Sequence, residues 1–197
     1  MDAFSILRED MATRGVEVSD NDWSDLSDQF SPLVRDKGQV IFPSGNVGDR
    51  WLFLGSGIAA AEQTSVDGEV HIARFFSKGE ICGNLKSTWQ GDLGADTLIA
   101  ITPVTGLTVS HDVFRHEYLD GGVLGRYLRL KLVDTLLAAR DVIVTKTIND
   151  TEAKYQFLEH RYGADLARIP KKHVARFLGI TPQGLSRFLR SSGRVET

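Results

Sequence analysis

Lys171–Arg190, KKHVARFLGITPQGLSRFLR, begins and ends on basic residues and holds no acid between them. Pro170 fits the first turn of a helix, where its missing N–H costs nothing, and Val174, Ala175, Phe177 and Leu178 supply one apolar side. Gly179 stops that helix. Thr181-Pro182 starts another, with the hydroxyl as cap and proline at the first helical position. Ala175, four residues before the turn glycine, is small enough to let two helices cross closely, with Leu185 and Phe188 filling the angle between them. That is the spacing of a helix-turn-helix.

At about 100° per residue the second helix turns Leu185, Phe188 and Leu189 to one face, leaving Gln183, Arg187 and Arg190 near the opposite one and Ser186 at its edge. Glutamine and arginine make paired hydrogen bonds to adenine and guanine edges, and serine reaches a base or a phosphate. Lys171, Lys172, His173 and Arg176 on the first helix, Thr181 in the turn and Arg194 beyond the second helix fall where backbone phosphates would run. Gly184, inside the second helix, costs about 1 kcal/mol relative to alanine and takes no role in this scheme. The same pattern also suits a hairpin that docks a protein partner rather than DNA.

Charge is divided unevenly along the chain. Residues 151–197 carry nine Lys and Arg against four Asp and Glu, whereas residues 1–150 carry 14 against 22. An acidic body with a basic end suits a polyanionic partner for that end. The amino terminus, MDAFSILREDMATRG, has acids where a signal peptide needs bases, and no stretch approaches the ~20 apolar residues of a membrane span, so a cytoplasmic location is expected. A single cysteine, Cys82, excludes an internal disulfide, and an iron–sulfur cluster wants about four thiolates. It reads as a small packed residue.

Upstream of the hairpin the texture changes twice. Ser19-Asp-Asn-Asp caps a short helix. From Leu33 to about Val113, short apolar runs broken by Gly, Pro, Asn and Asp indicate several short antiparallel strands, with Asp67-Gly68 as a tight two-residue hairpin turn. After Gly121-Gly122, residues 123–148 read as one long helix with two apolar stripes. Leu128, Leu132, Leu136, Ala139 and Ile143 form one, and Leu130, Val133, Leu137, Val144 and Ile148 the other. Both must be buried: one can cover the strands and the other can meet the same helix of a second copy, giving the expected homodimer through 123–148, the alternative being a single wide stripe inside a monomer. The expected fold is α+β: an antiparallel, jelly-roll-like β-roll over 1–120, a dimerisation helix over 121–149, and an all-α helix-turn-helix domain over 150–197. No catalytic or metal set is expected, because His71, the histidine that falls on a strand, is followed by Ile-Ala-Arg rather than a second ligand.

VARFLGITPQGLSRFLR, KGQVIFPSGN and WLFLGSGIAAAEQTSVDGEVHIARFFSKGEICG together resemble the Crp/Fnr superfamily of transcription regulators, over roughly residues 19–192. The resemblance implies a cyclic-nucleotide-binding-like β-roll, base contacts from Gln183, Ser186 and Arg187, double-stranded DNA as partner and RNA polymerase as a further one. The roll is expected to sense a small-molecule effector of unknown identity, or none, with Gly79, Glu80, Cys82, Gly83 and Asn84 as its pocket. In nucleotide-binding relatives a Gly-Glu pair holds the ribose, matched here by Gly79-Glu80, which also reads as an ordinary turn. An Arg-Ser or Arg-Thr pair holds the phosphate, and that pair falls at Gly94-Ala95. With no cation there, cyclic AMP is not the expected effector unless Lys86 or Arg74 substitutes. No cofactor is expected.

Overall fold

The computed structural model describes residues 2–194. Eight strands form two four-stranded sheets in which every pairing is antiparallel. One sheet has the order β1 (Ser31–Arg35), β8 (Val104–Ser110), β3 (Arg50–Ser56) and β6 (Ile81–Cys82). The other has the order β2 (Val40–Phe42), β7 (Thr97–Ala100), β4 (Ala59–Thr64) and β5 (Val70–Phe76). Side chains alternate across each strand, and here both faces are apolar. Leu52, Leu54, Ala59, Leu98 and Ala100 point between the sheets with Leu33, Ile41 and Cys82. Their neighbours Trp51 and Phe53 leave the first sheet on its outer face, as Ala60, Ile72, Phe75 and Ile99 leave the second.

Each outer face has its own cover. The first sheet is covered by α1 (Ala3–Thr13), α4 (His111–Asp120) and the start of α5 (Val123–Thr147), through Ile6, Leu7, Met11, Phe114, Leu124 and Tyr127. The second is covered by α6 (Thr151–Tyr162), a 3-10 turn (Gly163–Arg168) and α7 (Lys171–Leu178), with α8 (Pro182–Ser191) packed behind. Phe177 stacks on Phe75 with ring centroids 5.8 Å apart, and the Tyr162 hydroxyl donates to the Phe75 carbonyl at 2.9 Å. Burying a side chain of that size stabilises the docking by about 1.5–3 kcal/mol.

Two local readings are corrected. The strands end at Ser110, whose hydroxyl accepts from the Val113 N–H (3.2 Å) and so opens α4, a helix hidden between a strand and a longer helix. The β4–β5 connection is also wider than a two-residue turn. It runs from Ser65 to Glu69, with Gly68 at φ 86° and the Ser65 N–H donating to the Glu69 carbonyl. Ser19 does cap α2 (Asp20–Ser27), accepting from the Asp22 N–H at 3.2 Å.

The inner turns of α5 are apolar, with Leu124, Tyr127 and Leu128 buried, and Lys131 is buried with them. Lys131 reaches Asp10 of α1 at 3.2 Å and the Gly79 carbonyl, while Tyr127 donates to the same Asp10 at 2.6 Å. The first stripe therefore does not lie wholly on the roll. Leu128 is buried, but Leu136 and Ile143 are 70% and 64% exposed, on the same outward side as Leu130, Val133, Leu137 and Val144. The 3.6-residue helix rotates the stripe past the edge of the roll within two turns.

Candidate functional site

The hairpin is built from short-range signals. Thr181 accepts from the Gly184 N–H at 3.0 Å, so its hydroxyl is first of all the cap of α8, and Gly184 supplies the capped N–H. Gly179 at φ 73° ends α7, and the Ile180 N–H donates back to the Ala175 carbonyl at 3.0 Å. Leu185 and Leu189 are buried against α7, where Ala175 is 1% exposed and allows the close crossing. Phe188 lies partly buried at the side, against Tyr155. The far side of α8 presents Gln183, Arg187 and Arg190 to solvent, with Ser186 half-buried at its edge. Arg187 makes no hydrogen bond or ion pair within the described residues, so nothing must be broken to use it.

The first helix is less free than its sequence suggests. Lys172 is exposed and Lys171 half-buried, but His173 is turned inward and Arg176 pairs with Glu62 of β4 at 3.3 Å. Arg194 is likewise committed, to Glu152 and Glu159 of α6 at 2.7 and 2.9 Å. His173 and Arg194 thus serve the packing of the domain rather than an outer basic surface. For His173 the reason is the outer face of the second sheet, which α7 closes; for Arg194 it is the pair of carboxylates on α6.

His173 sits 6% exposed with its Nδ1 unpartnered, 3.7 Å from Glu62, too long for a hydrogen bond. Burial, then Lys172, Arg176 and Lys37, push its pKa down from 6.5 to about 4. The nearby carboxylate does not overcome burial and three cations. Because the folded value lies below the unfolded one, the unfolded chain binds more protons between them. Stability is whole above pH 6.5 and is lost as pH falls toward 4. Between pH 7.5 and pH 5 the wild type should therefore lose about 2 kcal/mol more than His173→Gln in urea unfolding. Equal losses would show that His173 is not held neutral.

A cavity of about 440 Å³ opens inside the roll, lined by Phe42, Phe76, Leu98, Cys82, Gly83 and Asn84 among others. Of the effector-pocket residues expected from sequence, Cys82, Gly83 and Asn84 meet there. Gly79 and Glu80 do not. Glu80 turns away and is taken up by Arg74, by Arg161 at 2.7 Å and by the Ser77 N–H at 2.8 Å, in a separate cavity against α5. Arg74 is consumed with it. At the expected phosphate position the Gly94 N–H donates to the Asn46 carbonyl at 2.9 Å, so that amide is unavailable to an anion. The cations on this cavity are Lys86 and Arg50, the second of which sequence reasoning missed because its strand position alone does not say which way it points. Burial pushes the Cys82 thiol well up, leaving it a packed apolar group. Among the described residues no cluster of His, Cys, Asp and Glu could hold a metal, and no helix is long and apolar enough to cross a membrane.

The family model of the cyclic nucleotide-binding domain matches residues 34–119. No curated protein matches the sequence. Among solved structures, the c-di-GMP responsive global regulator CLP of Xanthomonas campestris aligns with a TM-score of 0.69 and 13% identity, over 86% of this chain and 89% of that one. FixK2 from Bradyrhizobium japonicum aligns with a TM-score of 0.65 and 15% identity, over 83% and 86%. A transcriptional regulator assigned to the Crp/Fnr family, from Eubacterium rectale, aligns with 0.67 and 15%, over 88% and 83%. The chain thus matches the cyclic nucleotide-binding domain over residues 34–119 and shares its fold, over 83–88% of its length, with these regulators.

Proposed function

We propose that the protein is a homodimeric, sequence-specific DNA-binding transcription regulator whose β-roll takes an effector other than cyclic AMP. The observation that carries this reading is α8 itself, anchored by buried Leu185 and Leu189 while Gln183, Arg187 and Arg190 face outward. A helix so mounted fits a major groove, where its long donors meet base edges. Lys171 and Lys172 at the start of α7 are placed for phosphates. Selection of bound fragments from random duplex DNA by the purified protein tests the reading, since a regulator yields one recurring, two-fold symmetric site. Recovery of unrelated sequences, or of none, would favour a hairpin that docks a protein.

The dimer reading rests on α5. Leu130, Val133 and Leu137 follow the three- and four-residue steps of a coiled-coil seam, Val144 lies one heptad further on with Arg140 at the position between, and the four apolar residues are exposed in the single chain. An apolar stripe of that length is seldom left in water.

The effector reading rests on the cavity in the roll. At the Gly94-Ala95 corner the Gly94 amide is taken by the Asn46 carbonyl, Arg50 on the cavity wall donates to the Thr108 hydroxyl at 3.2 Å, and Glu80 is engaged elsewhere. Titration calorimetry with cyclic AMP should therefore give a dissociation constant weaker than about 10 μM, or roughly −7 kcal/mol. Tighter binding, abolished in Lys86→Ala or Arg50→Ala, would show that these cations replace the missing clamp.

A further inference from the structure

On the outer face of the second sheet, opposite the effector cavity, lies a cleft of about 380 Å³ between the roll and the first helix of the hairpin. Strand alternation separates the two spaces: Ala61, Gln63 and Leu98 line the inner one, Glu62, Thr64 and Ile99 the outer one. The outer cleft is lined by Lys37, Lys172, Arg176 and His173, with Glu62 as its single carboxylate. Lys37 is held by a tight turn, in which the Gly38 N–H donates to the Ala100 carbonyl at 2.7 Å and the Gln39 N–H to the Asp36 carbonyl at 3.0 Å. Across from it, α7 begins with neither a side-chain cap nor an acid in its first turn, so the positive end of its dipole adds to the field of Lys172. Arg176 shares Glu62, but Lys37 and Lys172 make no hydrogen bond or ion pair within the described residues. Two unneutralised ammonium groups lining one cleft repel each other and attract an anion.

We propose that this cleft binds a small phosphate monoester, its phosphate held between Lys37 of the roll and Lys172 and Arg176 of α7. Donors arriving from two elements on different sides suit the oxygens of a tetrahedral dianion, and Arg176 presents the fork that phosphate accepts. The apolar floor of Val40, Ile99 and Ile101 leaves room for the organic part of the ester. Such a ligand bridges the roll and the hairpin. It also occupies Lys172, a cation that the hairpin offers to DNA phosphates, so it should oppose operator binding, a consequence that rests on the DNA-binding reading above.

The full-length protein is titrated calorimetrically with inorganic phosphate and with glycerol 3-phosphate, against sodium chloride of equal ionic strength. Saturable heat is expected with both phosphates, the ester binding at least as tightly. Lys37→Ala and Lys37→Glu should weaken both by about tenfold or more, the effect of removing one charge-assisted hydrogen bond. Lys86→Ala, in the inner cavity, should change neither. Lys37 is an exposed turn residue, so the folds of these variants can be verified by circular dichroism before titration. No saturable heat beyond the chloride blank, an undiminished affinity in both Lys37 variants, or exclusion of the ester would overturn the proposal. A separate arm measures operator binding with and without glycerol 3-phosphate. If the phosphates bind as expected but no operator exists, the site stands and the DNA reading falls.

Discussion

Arg187→Ala should cost about 1–3 kcal/mol per half-site on the selected operator while leaving affinity for scrambled duplex almost unchanged. Arg187 projects from the middle of α8, away from the buried Leu185 and Leu189 and unpaired within the described residues. In a major groove its guanidinium would meet a base edge, most simply guanine O6 and N7. With two half-sites per dimer the losses add, and specificity collapses. Lys172→Ala supplies the contrast: it should weaken operator and scrambled duplex alike and flatten the salt dependence by about one unit for each phosphate left without its ammonium partner. Salt titrations of both variants on both duplexes separate the roles. An Arg187→Ala protein that loses affinity equally for the two would mean that α8 does not read sequence.

Leu137→Asp should convert the dimer to monomers. In the single chain Leu137 is 54% exposed, between Val133, which is 55% exposed, and Val144, at 47%. Pairing with the same helix of a second copy would bury all three. By two-fold symmetry the substitution then places two carboxylates in one apolar seam, at several kcal/mol each. Leu137 also borders the cavity that holds Lys131 and Arg161, so an aspartate there has cations within its neighbourhood. Val133→Asp, which does not line that cavity, is the stricter test. Sedimentation at tens of micromolar should show a wild-type dimer and a monomer for both variants, with operator affinity reduced accordingly. A monomeric wild type would dismiss the seam.

Much of the hairpin and of the long helix was readable from the residues because the signals are local. A hydroxyl followed by proline, a glycine at positive φ and an apolar stripe each act within one or two helical turns, and Thr181, Gly179, Leu185 and Leu189 do in the structure what their spacing suggests. The strands were legible as strands for the same reason. Helices α1 and α4 were not, since Ile6, Leu7 and Met11 make a weak stripe and α4 follows β8 without a break in polarity.

What the residues could not disclose is which surfaces meet. Ala60, Ile72, Phe75 and Ile99 are apolar whether water, a second sheet or a helix covers them, and only the fold brings α7 onto that face. That docking buries His173 and draws Arg176 to Glu62, 114 residues away in the chain. Glu80 likewise looks like a pocket residue beside Gly79 until Arg74 and Arg161 are seen to claim it. Local sequence sets backbone geometry through sterics and hydrogen bonds a few residues apart, whereas burial and ion pairing act through space. The sequence thus determined the strands, the long helix, the hairpin and the outward face of α8. The tertiary structure alone decided which basic residues remain for DNA, which serve the core, and which frame the cleft between them.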